Sequence, residues 1–111
     1  MADTSLSENR IGLLIWKTSN YWQTRLRKIL RPHNLSLNEF LILESIHHLH
    51  SIKSKTHQNV ISSFIGIDIS VASVTFKSLE NKNYISRQLE SDNRKKIIKM
   101  LDKGKKLFED I

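Results

Sequence analysis

The stretch from Ile61 to Arg87, ISSFIGIDISVASVTFKSLENKNYISR, decides how the rest of the chain is read. Ser62 is small enough to let two helices cross closely. Gly66, four residues on, supplies the tight turn that a residue with a Cβ resists. Ile65 and Ile67 offer a buried hydrophobe on either side of that turn, and Ala72 a small apolar contact in the second helix. These spacings predict a helix-turn-helix, with an ordinary helical hairpin as the plainer alternative. Past Asn83 the texture changes. Tyr84 to Leu89 reads as a strand, Glu90 to Asn93 as a turn, and Arg94 to Met100 as the returning strand, with Ile98 and Met100 on one alternating face.

Upstream, Ile11, Leu14, Ile15, Trp22, Leu26, Ile29 and Leu30 repeat with helical spacing, and Leu13, Trp16 and Tyr21 widen the stripe beyond what one neighbour requires. Such a face packs on two sides: the chain's own core and a second subunit. Pro32 ends this helix. Ser36 and Glu39 stand at capping-box spacing and open a second helix through Phe40, Leu43, Ile46 and Leu49. Thr56 is read as the cap of a third helix carrying Val60, Ile61, Phe64 and Ile65. Asp68 or Ser70 caps the fourth, which runs to about Asn81, and Asp102 caps a last short helix with Leu107, Phe108 and Ile111 on its apolar side. The expected class is mainly α (α+β): four helices, a β-hairpin and a short C-terminal helix. Residues 1–8 are expected as a flexible lead-in to one domain over 9–111. Its first helix, 9–31, and a C-terminal stub, 102–111, contribute to dimerisation.

Composition narrows the chemistry. The 111 residues hold 18 Lys and Arg against 11 Asp and Glu, a formal +7. That excess points to a polyanion, nucleic acid first and a membrane surface second. With no cysteine, thiolate metal sites, disulfides and thiol redox sensing are excluded. The longest apolar run, Ile11 to Trp16, is far short of the roughly 20 residues a bilayer span needs, and no signal peptide is read, so the expected location is cytoplasmic. No nucleophile–base pair, paired carboxylates or phosphate-cradling glycine loop stands out, so no enzyme is expected. His47, His48, His50 and His57 raise the thought of zinc, but His47 and His50 share one helical face while His48 points elsewhere. A polar helix end is the preferred reading, and no metal or cofactor is expected.

A helix-turn-helix followed by a basic hairpin has the order of a winged helix, and here the sequence resembles the MarR (multiple antibiotic resistance regulator) family of bacterial transcription factors. The resemblance runs from Leu35–Leu43 through Ile61-Ser62, Ile65-Gly66-Ile67 and Ser70 to Leu79–Arg87, continues as Asp92-Asn93-Arg94, and ends near Gly104. It departs at Val74, where relatives carry a basic or polar residue, and at Met100-Leu101. The segment between Arg87 and Arg94 is about one residue shorter than usual, and only seven residues follow Gly104. The resemblance implies a homodimeric, non-enzymatic regulator that binds A/T-rich, near-palindromic double-stranded DNA.

In that reading Ala72, Phe76 and Leu79 face the core, and Ser70, Val71, Ser73, Val74, Lys77 and Ser78 face the major groove. Hydroxyls there bond either donors or acceptors, and valine methyls touch thymine methyls. For Val71 and Val74 a second packing surface is the alternative. By resemblance Arg94 enters the minor groove, Asp92 holds the turn, and Arg87 belongs to the same surface. Lys95 and Lys96 contact phosphates, or else belong to a solvated basic hairpin. A small aromatic effector is a further implication, lined by Trp16, Tyr21, Trp22, Phe40 and His47, which ordinary packing would also explain. A different class stays open as well: a winged-helix module that binds protein, since Asp68, Lys77 and Glu80 leave the fourth helix at −1. The charge is segregated. Residues 10–31 and 94–106 each carry a net +6, and the remainder is acidic.

Overall fold

The computed structural model describes residues 4–89 and 96–111. Its elements follow in the order α1 (Thr4–Leu30), a 3-10 turn (Arg31–His33), α2 (Leu37–Ser51), α3 (Gln58–Ile65), α4 (Ile69–Asn81), β1 (Ile85–Leu89), β2 (Lys96–Met100) and α5 (Asp102–Asp110). The helix assigned as α1 reaches back to Thr4, into the stretch read from sequence as a lead-in. A formed helix extends at little cost per residue, because only nucleation is expensive. Pro32 stands in the 3-10 turn that closes α1, and Asn34, at φ 53°, then reverses the chain.

Ser36 caps α2 as its spacing requires: Ser36 Oγ accepts from the Glu39 amide at 3.1 Å, and Glu39 Oε1 accepts from the Ser36 amide at 2.9 Å. The helix ends with Lys53 at φ 56° and the Ser54 amide donating back to the Leu49 carbonyl. The end of α4 repeats the device, with Asn83 at φ 64° and the Tyr84 amide donating to the Leu79 carbonyl. Both are left-handed terminations that satisfy orphan carbonyls.

Two other caps differ from the sequence reading. Thr56 does not cap α3. Its hydroxyl donates to the Ile98 carbonyl at 2.7 Å, and the Ile98 amide donates to the Thr56 carbonyl at 2.9 Å. His57, the residue before α3, bridges Ile97 in antiparallel fashion. The connection after α2 thus lies against β2 as a third, one-residue rung. Asp102 is the first residue of α5, with Leu101 at the cap position. There its carboxylate meets the positive end of the helix dipole instead of capping an amide.

The core is built by the first four helices and both strands, with Leu107 and Phe108 of α5 packed against it half-buried. Leu26 and Leu30 of α1 meet Ile42, Leu43, Ile46 and Leu49 of α2, Ile61 of α3, Ala72, Phe76 and Leu79 of α4, Ile85 of β1 and Ile98 of β2. β1 and β2 pair antiparallel from Ile85↔Met100 to Leu89↔Lys96. The outcome is uneven along α1. Leu26 and Leu30 in its last turns are buried, while Ile11, Leu13, Leu14, Ile15, Trp16, Tyr21, Trp22 and Ile29 are all exposed. Phe64 also stays out of the core, its ring stacked on His48 at 5.4 Å. Among the described residues, no single helix is long and apolar enough to cross a membrane.

Candidate nucleic-acid interface

Between α3 and α4 the chain turns by 119°, within the range of helix-turn-helix units. Gly66 makes the turn at φ 80°, and its amide donates to the Ser62 carbonyl at 2.9 Å. Ser62 is buried at the crossing, and its hydroxyl is satisfied within α3 by the Gln58 carbonyl. Ile65 and Ile67 are half-buried against the core on either side.

This turn fixes which face of α4 is presented. Ala72, Phe76 and Leu79 point inward as their spacing predicts, joined by Thr75, whose hydroxyl bonds the Val71 carbonyl at 2.7 Å. Ser70, Val71, Ser73, Val74 and Lys77 are all exposed, Val74 at 72%. They form one surface. Ser70 Oγ donates to Asp68 Oδ2 at 2.6 Å, so Asp68 braces the first exposed serine of the helix; its side chain makes no capping bond.

Ser78 departs from the sequence reading. Its hydroxyl donates to Glu39 Oε2 at 2.8 Å, so it faces α2 and not the outer surface. Glu39, 4% exposed, is the hub of this contact. Lys82 Nζ lies 2.9 Å from both of its oxygens and also donates to the Asn34 carbonyl at 2.8 Å. Burial pushes the Glu39 carboxyl up, but the Ser36 amide, Lys82 and Ser78 together outweigh it and hold it below its ordinary 4.5. One carboxylate therefore caps α2 and ties down both ends of the last turn of α4.

Arg87 is engaged by the protein itself. Its guanidinium donates to Glu80 Oε1 at 2.9 Å through Nη2 and to Gln58 Oε1 at 3.3 Å through Nη1, and its side chain is 13% exposed. That fork joins the base of the hairpin to α3 and α4, and it holds the Glu80 carboxyl below its ordinary value. Lys96, at the start of β2, is exposed and shares an open cleft with Gln58, Ser62, Gly66 and Ile69, at the N-terminal end of α4. Asp92, Arg94 and Lys95 lie outside the described residues.

The side chains considered for an effector are divided. Phe40 and His47 both pack on Phe108, at 6.0 and 5.0 Å between ring centroids, whereas Trp16 and Tyr21 are exposed on α1. The C-terminal stub thus turns Phe108 onto its own α2. Beneath it, a cavity of about 540 Å³ is lined by His47, His50, Ile98, Lys99, Lys105 and Phe108 among others. No group of three or more metal-ligating side chains comes together among the described residues.

Sequence reasoning marked Glu39 through its cap, but not its bonds to Ser78 and Lys82, nor the Arg87–Glu80–Gln58 fork. No local signal reports contacts between residues that stand 29 to 43 positions apart, as most of these do.

Four core helices, a crossing at Gly66 and a two-stranded hairpin backed by α5 make this a winged helix-turn-helix of the MarR type. A MarR-family regulator from Rhodococcus sp. RHA1 superposes with a TM-score of 0.81 at 21% identity, covering 93% of this chain and 71% of that one. AbfR of Staphylococcus epidermidis gives 0.86 at 16% identity over 97% and 71%, and the Staphylococcus aureus MepR–DNA complex 0.79 at 20% over 90% and 72%. The chain belongs to the SarA/Rot family of transcriptional regulators, whose pattern matches residues 25–111. It is also 24% identical over 87 residues to the helix-turn-helix-type transcriptional regulator YdcH of Bacillus subtilis (strain 168). The match covers 78% of this chain and 59% of that relative's length. The family and these relatives are transcriptional regulators, not enzymes.

Proposed function

We propose that the chain regulates transcription in the bacterial cytoplasm by binding A/T-rich, near-palindromic double-stranded DNA as a homodimer. In this reading α4 lies in the major groove and the 84–100 wing in the adjacent minor groove. The observation that carries it is the division of α4: a buried face of Ala72, Thr75, Phe76 and Leu79, and an exposed, nearly neutral face of Ser70, Val71, Ser73, Val74 and Lys77. That outer face has no arginine to grip guanine, so it suits methyl-rich, A/T-rich sites. Arg94 reaches the narrow minor groove, where A-tracts draw an inserted arginine, with Asp92 holding its turn. Lys95 and Lys96 take phosphates. Arg87 serves the same surface from behind, by keeping the hairpin on α3 and α4. The DNA-bound state of the MepR neighbour supports this reading.

The exposed apolar face of α1 from Ile11 to Ile29 supports the second copy, since a patch of that extent calls for a partner. A two-fold dimer sets two α4 helices about one DNA turn apart, which makes the site near-palindromic. For the small aromatic effector, the cavity bordered by His47, Lys99, Lys105 and Phe108 offers an apolar wall and two lysines on a rim shared with Glu109.

The test is a mobility shift on A/T-rich and random duplexes at two salt concentrations, with Arg94→Ala beside the wild type. The wild type is expected to bind with a steep salt slope and to prefer the A/T-rich duplex, and the variant to bind at least tenfold more weakly. Absence of salt-dependent binding at micromolar protein would transfer the surface to a protein partner.

A further inference from the structure

The six basic residues between 10 and 31, five on α1 and Arg31 just past it, have no part in the interface described so far. Among the described residues, the ion pairs are Lys82–Glu39 and Arg87–Glu80, and neither involves α1. Two of these bases, Arg27 and Arg31 (the latter just past the helix), meet Lys82, Asn34, Ser36 and Glu39 around a notch of about 450 Å³. The Lys82 ammonium is committed inside it, to Glu39 and to the Asn34 carbonyl. The two guanidiniums are exposed. Arg27 gives one 3.2 Å bond to Gln23, and Arg31 has no side-chain partner among the described residues. With Glu39 offset by Lys82, the notch keeps two cationic forks and no free acid.

Its place in the fold matters as much as its charge. Lys82 closes the C-terminal end of α4, while Lys96 stands beside Ile69 at the N-terminal end. Those ends are about 20 Å apart for a 13-residue helix. The major groove is about 12 Å wide between its bounding backbones, so the ends of a helix of that length seated in it come near the flanking phosphates. Positive charge therefore stands at both ends of α4.

We propose that the notch of Arg27 and Arg31 binds backbone phosphates of duplex DNA, at the C-terminal end of α4 and away from Lys96. The proposal rests on the DNA-binding reading above and adds a second anchoring point to it. A guanidinium offers parallel N–H donors matched to phosphate oxygens, and two of them on one notch suit a dianionic stretch of backbone. A second copy of the chain is a poorer occupant. Residues 10–31 contain no acid to receive the arginines, and the exposed apolar side chains that suit a copy lie mainly between Ile11 and Trp22. Phosphate contacts carry no sequence information, so this site sets affinity and register and leaves base preference to α4.

The test uses the full chain and two duplexes, one A/T-rich and one random, titrated across several salt concentrations. Arg27→Gln/Arg31→Gln is compared with the wild type. The expected result is a plot of log K against log salt that is shallower by about 1 per arginine removed, with affinity lost by the same factor on both duplexes. Thermal melts stay unchanged, because both side chains are exposed. An unaltered salt slope in the variant, with the wild type binding normally, overturns the notch alone. So does a variant that sediments as a monomer where the wild type is a dimer, because the arginines would then serve the second copy. A wild type that binds neither duplex overturns this proposal together with the reading it rests on.

Discussion

Replacing Glu39 with glutamine tests the contact that sets α4 on α2. Oε1 accepts from the Ser36 amide and from Lys82 Nζ, both at 2.9 Å; Oε2 accepts from Ser78 at 2.8 Å and lies 2.9 Å from the same ammonium. A glutamine must put an NH2 group where one oxygen stood. Toward Ser36 it would face an amide that cannot turn, so it points toward Ser78, whose hydroxyl can rotate to accept. The helix cap survives and the ion pair is lost. Hydrogen bonds to charged groups contribute about 1.5–3 kcal/mol and neutral ones about 1, and Lys82, 28% exposed, recovers part of its solvation from water. The expected loss is about 2 kcal/mol for Glu39→Gln. For Glu39→Ala, which also strips the acceptor from Ser36 and Ser78, about 3–5 kcal/mol is expected.

Against a total stability of about 5–15 kcal/mol, either change is readily measured by urea unfolding. The pH dependence follows from the direction of the shift. Because the folded carboxyl is held below 4.5, its stabilisation is present in full above that value and fades as pH falls through the lower folded one. The gap between wild type and Glu39→Gln should therefore be widest at pH 7 and narrow below pH 4.5. Lys82→Met should remove a similar amount, and the double variant less than the sum. A Glu39→Gln variant within about 0.5 kcal/mol of wild type at pH 7, or a gap indifferent to pH, would refute the reasoning.

Three other substitutions probe separate parts of the structure. A Cβ on residue 104 would meet the Tyr84 carbonyl oxygen, which also accepts from the Leu101 amide and so cannot retreat. Gly104→Ala should cost about 1–3 kcal/mol despite alanine's better helix propensity, read from the urea midpoint; a stabilised variant would show that the backbone yields there. Arg87→Gln releases the hairpin from Glu80 and Gln58. Since Glu80 is 39% exposed, the stability loss should be only about 1 kcal/mol, but amide exchange in β1 and β2 should quicken, and unchanged exchange would deny Arg87 its anchoring part. Val74→Ser should leave the melting curve in place and narrow the preference for A/T-rich over random duplex by roughly 1 kcal/mol; retained preference would move base reading elsewhere.

The sequence by itself determined the order of elements, because the signals involved act over a few residues. Gly66 marks a turn for want of a Cβ, Ser36 and Glu39 cap each other three positions apart, and Ala72, Phe76 and Leu79 recur at the pitch of one helix. The exposed face of α4 follows from the same periodicity: Ser70, Val71, Ser73, Val74 and Lys77 are exposed, and Ser78 alone of the six expected there turns to Glu39. The misreadings are instructive for the same reason. Thr56 has a hydroxyl fit for a cap, but β2 offers it a carbonyl 42 residues away, and nothing near Thr56 announces that competitor. Phe64 fits an apolar stripe, yet an eight-residue helix turns only Ile61 and Ser62 fully inward.

What only the tertiary structure decided are the meetings of distant charges. Ser78 leaves the outer face to bond Glu39, and Arg87 is held by Glu80 and Gln58. Arg27 and Arg31 arrive beside Lys82 at the far end of the same helix. The net charge of +7 is legible by counting, but its use depends on where folded helices bring the side chains. Coulombic and hydrogen-bonding partners are selected by proximity in space, and a local pattern of residues contains no term for that distance.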